Sequence, residues 1–191
     1  REIICGYGEI FKHSLIMSKS FYNYLNKNSF KILKLKSPFI EKAIYESCKI
    51  KKLVVEQDEN ENELRKILNF GHTFAHAYEA TLGFSKKLNH GEAVILGIST
   101  ALKFSLQNKI IKNTEYNTII NHINKLKLPS NIKNYFSFKN LNQILKFMMK
   151  DKKNNTKKIN LILLKKIGFP KINNHYDSIK IEKFLRKILI N

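Results

Sequence analysis

The sequence has no tryptophan, three prolines, seven glycines and two cysteines in 191 residues. Cys5 and Cys48 are too few and too far apart for a disulfide scaffold or a cysteine metal site, which fits a reducing compartment, the cytoplasm by default. Long apolar runs are missing as well. The stretch from Ile159 to Leu164 falls far below the roughly 20 residues of a membrane helix, and the N-terminus lacks the basic-then-apolar layout of a signal peptide. A soluble chain with no membrane partner is expected. Acidic residues number 15 against 35 basic ones, for a formal charge of +20. Such a balance would ordinarily point to nucleic acid, which binds basic surfaces by releasing counterions. Yet arginine, the favoured fork for phosphates and base edges, is almost absent: Arg1, Arg65 and Arg186 are its three occurrences. Lysine beside abundant Ile and Asn reads as codon bias toward A and T, and runs such as Lys150 to Lys153 as solvated surface, so no nucleic-acid partner is expected.

What is present is an apolar fraction of 43%, enough for one packed domain over residues 1–191. The pattern is mainly α. Helical apolar spacing runs over residues 1–16, and a second helix starts near Ser18. Ser37 and Pro38 read as an N-cap and first helical position for a helix reaching about Gln57. A long helix is expected from Asp58 to a stop at Gly83. Further helices are expected over residues 91–106, 113–126, 139–150 and 178–189. Between the last two, "INLILLKKIGF", short and broken at Gly168, predicts a small β-hairpin near residues 158–172. The chain opens on Arg1 within a helical pattern, so it is expected to be the C-terminal part of a longer protein.

Three of the six histidines fall within "GHTFAHAYEATLGFSKKLNHGEAV". On a continuous helix of about 100° per residue, Glu61, Arg65, Asn69, His72, His76 and Glu79 would share one edge about 80° wide, opposite a packing face of Leu64, Ile67, Phe70, Phe74, Tyr78 and Leu82. Gly71 lies on the apolar side, where it permits close packing. In a lysine-rich chain an edge without lysine is a sign of selection for chemistry. His72 and His76, four apart, could reach one zinc, but Thr73 occupies the general-base position of the HExxH pattern, and the spacing alone is more often that of two partly buried histidines satisfied by neighbouring carboxylates. His90, before a glycine at the start of an apolar helix, could bring a third imidazole, with Glu79 or Glu92 as acceptor for its other ring nitrogen.

"LNFGHTFAHAYEATLGF" followed by "LNHGEAVILG" resembles the signature of the 3-dehydroquinate synthase family. "REIICGYGEIFKHSLIMSKSFYNYL" and "MMKDKKNNTKKINLILLKKIG" are similar to two further motifs of that family, so the resemblance covers nearly the whole chain. All three belong to the family's helical C-terminal domain. Its N-terminal NAD-binding domain has no counterpart here, nor does a G-x-G-x-x-G follow a strand. The resemblance implies a multi-helix metal- and substrate-binding domain with the NAD-binding domain in the same or a companion chain, assembled as a homodimer of the complete enzyme. It implies Glu9, His72 and His90 as ligands of Zn²⁺ (Co²⁺ being an alternative), His76 and Glu61 as proton-handling groups, and Lys12 beside them at a position that binds substrate hydroxyl or phosphate. Lys51 and Arg65 match positions facing a substrate carboxylate. Asn69 and a lysine of "DKK", Lys152 rather than Lys153, match hydroxyl- and phosphate-binding positions. The implied reaction converts 3-deoxy-arabino-heptulosonate 7-phosphate to 3-dehydroquinate and phosphate with NAD as cofactor. Gly8, His13-Ser14, Glu63 and Ala75 depart from the family pattern, and Glu63 and Ala75 are where local packing is expected to differ. The rival readings are a related sugar-phosphate cyclase such as a 2-deoxy-scyllo-inosose synthase, a basic nucleic-acid-binding module, and a non-catalytic remnant.

Overall fold

The computed structural model describes residues 1–150 and 158–190. Eight helices and one antiparallel hairpin make up the regular structure described: α1 (Glu2–Met17), α2 (Lys19–Leu33), α3 (Phe39–Gln57), α4 (His72–Thr81), α5 (His90–Gln107), α6 (Asn113–Lys125), α7 (Leu141–Lys150), β1 (Lys158–Lys166), β2 (Phe169–Asp177) and α8 (Ser178–Ile190). Short 3₁₀ turns lie at Leu64–Asn69, Ile132–Asn134 and Phe138–Asn140. The mainly helical class and the hairpin are as the sequence predicts, although the strands extend beyond residue 172.

Helix α5 is the axis of the core. Residues from Gly91 to Leu102 are all buried, most of them apolar or small, the signature of a helix enclosed by its neighbours rather than laid on a surface. Helices α1 and α4 pack along it, the hairpin closes against it, and α2 and α3 brace α1. Two crossings depend on missing side chains. A Cβ on Gly91 would lie 2.2 Å from Cys5 Cα, and one on Gly97 would lie 2.2 Å from the Gly71 carbonyl oxygen. Backbone therefore meets backbone where α5 crosses α1 and where it crosses the start of α4. Gly71 packs closely as expected, and its φ of 82° also makes it the left-handed entry to α4. Gly97→Ala should destabilise the fold by about 1–3 kcal/mol despite alanine's better helix propensity, because a backbone oxygen cannot give way. A lowered midpoint in urea unfolding, with unchanged slope, is the expected result.

Two expected elements differ. The long helix from Asp58 to Gly83 is broken. The Asp58 carboxylate accepts from the backbone N–H groups of Asn62 and Glu63 at 2.8 Å and of Arg65 at 2.9 Å, wrapping this stretch into a loop that competes with helix formation. Glu61 sits at φ 57° within it. The chain then makes the 3₁₀ turn and resumes as α4 only at His72. Ser37 also fails as an N-cap: α3 begins at Phe39, and the N–H groups of Phe39 and Ile40 find the Lys36 carbonyl instead. By contrast, Ser18 accepts from Phe21 N–H at 3.2 Å as the cap of α2.

α6 is fastened to α1 and α2 by one buried imidazole. His122 Nε2 accepts from the Tyr7 hydroxyl at 2.7 Å, and Nδ1–H donates to Asn26 Oδ1 at 2.9 Å. Burial, aided by Lys125, pushes the pKa of His122 down from 6.5 to about 4. The unfolded chain therefore binds this proton at a higher pH than the folded one, and stability falls as pH drops from about 6.5 through about 4. His122→Gln, which can keep both hydrogen bonds, should flatten that part of the stability–pH curve in urea unfolding between pH 7 and 4.5.

Candidate metal centre

Three elements deliver the site. Glu9 projects from the middle of α1, His72 is the first residue of α4, and His90 the first of α5. One ligand atom from each lies within 4.8 Å of the others. The two glycine-mediated crossings put these helix positions together, since Gly91 follows His90 and Gly71 precedes His72.

Each side chain is held in a state suited to binding a cation. Burial opposes ionisation of Glu9, but the charge and hydrogen bond of Lys12 do most to outweigh it and hold the carboxyl below its usual range. Lys12 Nζ donates to Glu9 Oε2 at 2.7 Å. Glu9 Oε1 is buried and has no hydrogen-bond partner, while His72 Nε2 stands 3.7 Å away. A buried carboxylate oxygen without a partner is costly unless something positive comes to it. Burial and Lys12 push His72 down to about 4 against the pull of Glu9, so its imidazole is neutral with a lone pair to give. Its Nδ1–H donates to the Phe70 carbonyl at 3.3 Å, which leaves Nε2 on the Glu9 side. His90 Nδ1–H donates to Glu79 Oε1 at 3.1 Å, a carboxylate–imidazole pair of the kind that orients metal-ligating histidines. Of the two acceptors left open by the sequence, Glu79 takes this part. Glu92 does not, because it is occupied by Arg1 and by capping α5. The donor set of one carboxylate and two imidazoles, with an orphaned oxygen among them, fits Zn²⁺ and equally Co²⁺.

Beside the cluster lies a cleft of about 450 Å³ lined by Glu61, Lys66, Asn69, His72, Thr73, His76, Asn160 and Ile162. His76 is exposed, its ring centroid 5.3 Å from that of His72 and 6.3 Å from that of His90. Glu61 Oε1 accepts from Asn69 Nδ2 at 2.6 Å. Lys12, 3% exposed, stands behind Glu9. Burial lowers its pKa, Glu9 resists, and nearby Lys51 on α3 lowers it further.

Not every expected residue gathers here. Arg65 is not among the residues lining the cleft; its guanidinium donates to the Glu59 carbonyl at 2.6 Å. The edge expected on one helix loses Arg65 because a 3₁₀ turn advances about 120° per residue, not 100°. Lys152 and Lys153 lie outside the described residues. Sequence reading missed Thr73, Lys66, Asn160 and Ile162. Asn160 carried a signal, as the one polar residue inside "INLILL"; it shares a strand face with Ile162. Lys66 had none among so many lysines. The departures from the family pattern are accommodated: His13 is buried with Nδ1 2.7 Å from Ser47 Oγ, Glu63 is exposed in the loop, and Ala75 is buried beside Gly97.

Residues 6–154 match the family model described as 3-dehydroquinate synthase C-terminal. The chain belongs to the 3-dehydroquinate synthase family. The 3-dehydroquinate synthase of Pelagibacter ubique (strain HTCC1062) is 61% identical over 189 residues, 99% of this chain and 51% of that protein. That of Alkaliphilus metalliredigens (strain QYMF) is 40% identical over 85% of this chain and 44% of its own length. The chain thus spans about half the length of the curated relatives it matches. The fold is that of 2-epi-5-epi-valiolone synthase from Streptomyces hygroscopicus subsp. jinggangensis 5008, solved with NAD⁺ and Zn²⁺ bound: TM-score 0.82 and 17% identity over 97% of this chain and 51% of that one. A 2-deoxy-scyllo-inosose synthase complexed with carbaglucose-6-phosphate, NAD⁺ and Co²⁺ aligns at TM-score 0.73 and 23% identity, over 99% of this chain and 52% of that one.

Proposed function

We propose that this chain is the metal- and substrate-binding half of a 3-dehydroquinate synthase, acting on 3-deoxy-arabino-heptulosonate 7-phosphate to give 3-dehydroquinate and phosphate. The observation that carries the proposal is the convergence of Glu9, His72 and His90 on one point beside a cleft that also holds Glu61, Asn69 and His76. Glu9, His72 and His90 would hold Zn²⁺ or Co²⁺, and NAD⁺ would be held by an N-terminal domain in the same or a companion chain, in a homodimeric enzyme of the cytoplasm. When bound, the metal supplies Lewis acidity and the dinucleotide reversible hydride acceptance. No helix among the described residues is long and apolar enough to cross a membrane.

This chain's own residues do the rest. His76 and Glu61 face the cleft and move protons to and from the substrate, His76 on the metal side and Glu61 on the side of Asn69. Asn69 fixes the Glu61 carboxylate through its amide and has a carbonyl oxygen left for a substrate hydroxyl. Lys12 keeps Glu9 ionised and adds positive charge where the substrate is anionic, with Lys51 behind it. Lys66 on the cleft wall and Lys152 are the further cations for the phosphate. Arg65 reaches the substrate carboxylate by leaving the Glu59 carbonyl, its guanidinium exchanging one acceptor for a bidentate one.

A related sugar-phosphate cyclase acting on a hexose phosphate is the second reading, favoured by the shared fold alone. The substrate carboxylate separates the two. With the N-terminal half supplied, the heptulosonate phosphate should be turned over and glucose 6-phosphate not, and Arg65→Lys should weaken a carboxylate-bearing analogue at least tenfold more than its decarboxylated counterpart, as lysine cannot copy the planar fork. Turnover of the hexose phosphate, or equal losses for both analogues, would favour the second reading.

A further inference from the structure

Arg1 is the hub of a clasp that joins the start of α1 to the segment leading into α5. Its Nε donates to Glu92 Oε1 at 2.9 Å and Nη2 donates to Glu92 Oε2, while Nη1 donates to the Lys86 carbonyl at 2.6 Å and Nη2 also to the Lys87 carbonyl at 3.3 Å. Glu92 is 7% exposed and its Oε2 also accepts from Asn89 N–H at 2.9 Å, completing the capping box of α5. One planar guanidinium thus holds the carboxylate that caps α5 and two carbonyls of the segment that leads into it, an arrangement lysine's single ammonium cannot reproduce. The residue that follows this fastened segment is His90, whose own side chain is 53% exposed and hydrogen-bonded to Glu79.

We propose that Arg1 is a positioning residue for His90, acting through Glu92 and the 86–89 segment, and that this clasp sets how tightly the Glu9, His72 and His90 cluster holds a divalent cation. The proposal rests on the metal reading given above. Arg1 immediately precedes α1, the helix that carries Glu9, so the clasp ties the element bearing one ligand to the element bearing another. With its side chain 48% exposed, the Arg1–Glu92 pair contributes little to global stability. What it fixes is where α5 starts, and with it the reach of the His90 imidazole. Supporting contacts of this kind change metal affinity by roughly 10–100-fold when removed.

The test is zinc affinity of the 191-residue chain, measured by competition with a chromogenic chelator. Arg1→Ala should weaken zinc about tenfold, with the melting temperature of the metal-free chain within a few degrees of the parent. Arg1→Lys should stay closer to alanine than to the parent. Glu92→Gln, which can still cap Asn89 but loses the charged pair, should weaken zinc in the same direction and serves if Arg1→Ala folds poorly. The decisive comparison is a double-mutant cycle. In a His90→Ala background, Arg1→Ala should change the residual zinc affinity less than twofold. A tenfold loss in both backgrounds would show that the effect does not pass through His90 and overturn the proposal. If the parent itself binds zinc no better than His72→Ala, the metal reading has failed and the clasp falls with it; a tight parent with an unaffected Arg1→Ala variant sinks the clasp alone.

Discussion

His72→Ala and His90→Ala are each expected to strip zinc from the protein, while His76→Ala leaves the metal in place. The three imidazoles lie close together, with ring centroids 5.3 to 6.3 Å apart, so proximity alone does not distinguish them. Their surroundings do. His72 is held neutral by burial and aims its free nitrogen at the unpartnered oxygen of Glu9. His90 has its other nitrogen fixed by Glu79. His76 is exposed on the wall of the cleft, where a group that exchanges protons with a bound molecule belongs. Removing one of three ligands should cost more than the roughly 10–100-fold typical of a lost supporting partner. Glu9→Gln should be as damaging, because it leaves a neutral amide where the charge that attracts the cation stood. Metal analysis after dialysis, together with chelator competition, reads the result. Zinc lost from His76→Ala as completely as from His72→Ala would mean that the third ligand has been wrongly chosen.

The sequence is most informative where local pattern decides the outcome. α5 is legible because a helix-length stretch dominated by apolar and small residues has nowhere to go but the core, and Gly83 and Gly168 mark a helix stop and a hairpin turn at φ values of 63° and 83°. The 58–83 segment shows the limit. Periodicity places Glu61, Asn69, His72 and His76 on one edge, and they do line one cleft, yet not on one helix. The Asp58 carboxylate and Gly71 redirect the backbone twice, and the same residues return to a common wall with Arg65 turned aside. Residue periodicity cannot register a side chain that captures three backbone N–H groups. Glu9 is the complementary case. Nothing near it in sequence distinguishes it from a surface carboxylate beside Lys12; only the crossing of α1 with α5 at Cys5 and Gly91 brings it to the histidines. Motif resemblance groups it with them because it stores that tertiary contact implicitly.

These 191 residues alone are expected to give no turnover of the heptulosonate phosphate, even with zinc and NAD⁺ supplied, and to gain it when the N-terminal half is added. The cleft beside Glu9, His72 and His90 offers imidazoles, a carboxylate, amides and a lysine, but no glycine-rich turn lines it. Phosphate recognition by a cofactor-binding turn needs a glycine-rich strand-to-helix junction whose N–H groups converge on the pyrophosphate. The strand-to-helix junction among the described residues, β2 into α8, reads "HYDSIK", without a glycine. Hydride transfer falls off steeply unless donor and acceptor are held at contact distance, and a cofactor free in solution forfeits an effective concentration that in enzymes reaches about 10⁵ M or more. Phosphate binding by the isolated chain would say nothing, since a chain of charge +20 retains anions on its surface. The informative measurements are release of inorganic phosphate and formation of 3-dehydroquinate, each with and without the N-terminal half, and each repeated with His76→Ala. Restoration in the parent but not in His76→Ala would place the chemistry in this cleft. NAD-dependent product formation by the chain alone would instead require a cofactor site within these residues and end the view of it as half of an active site.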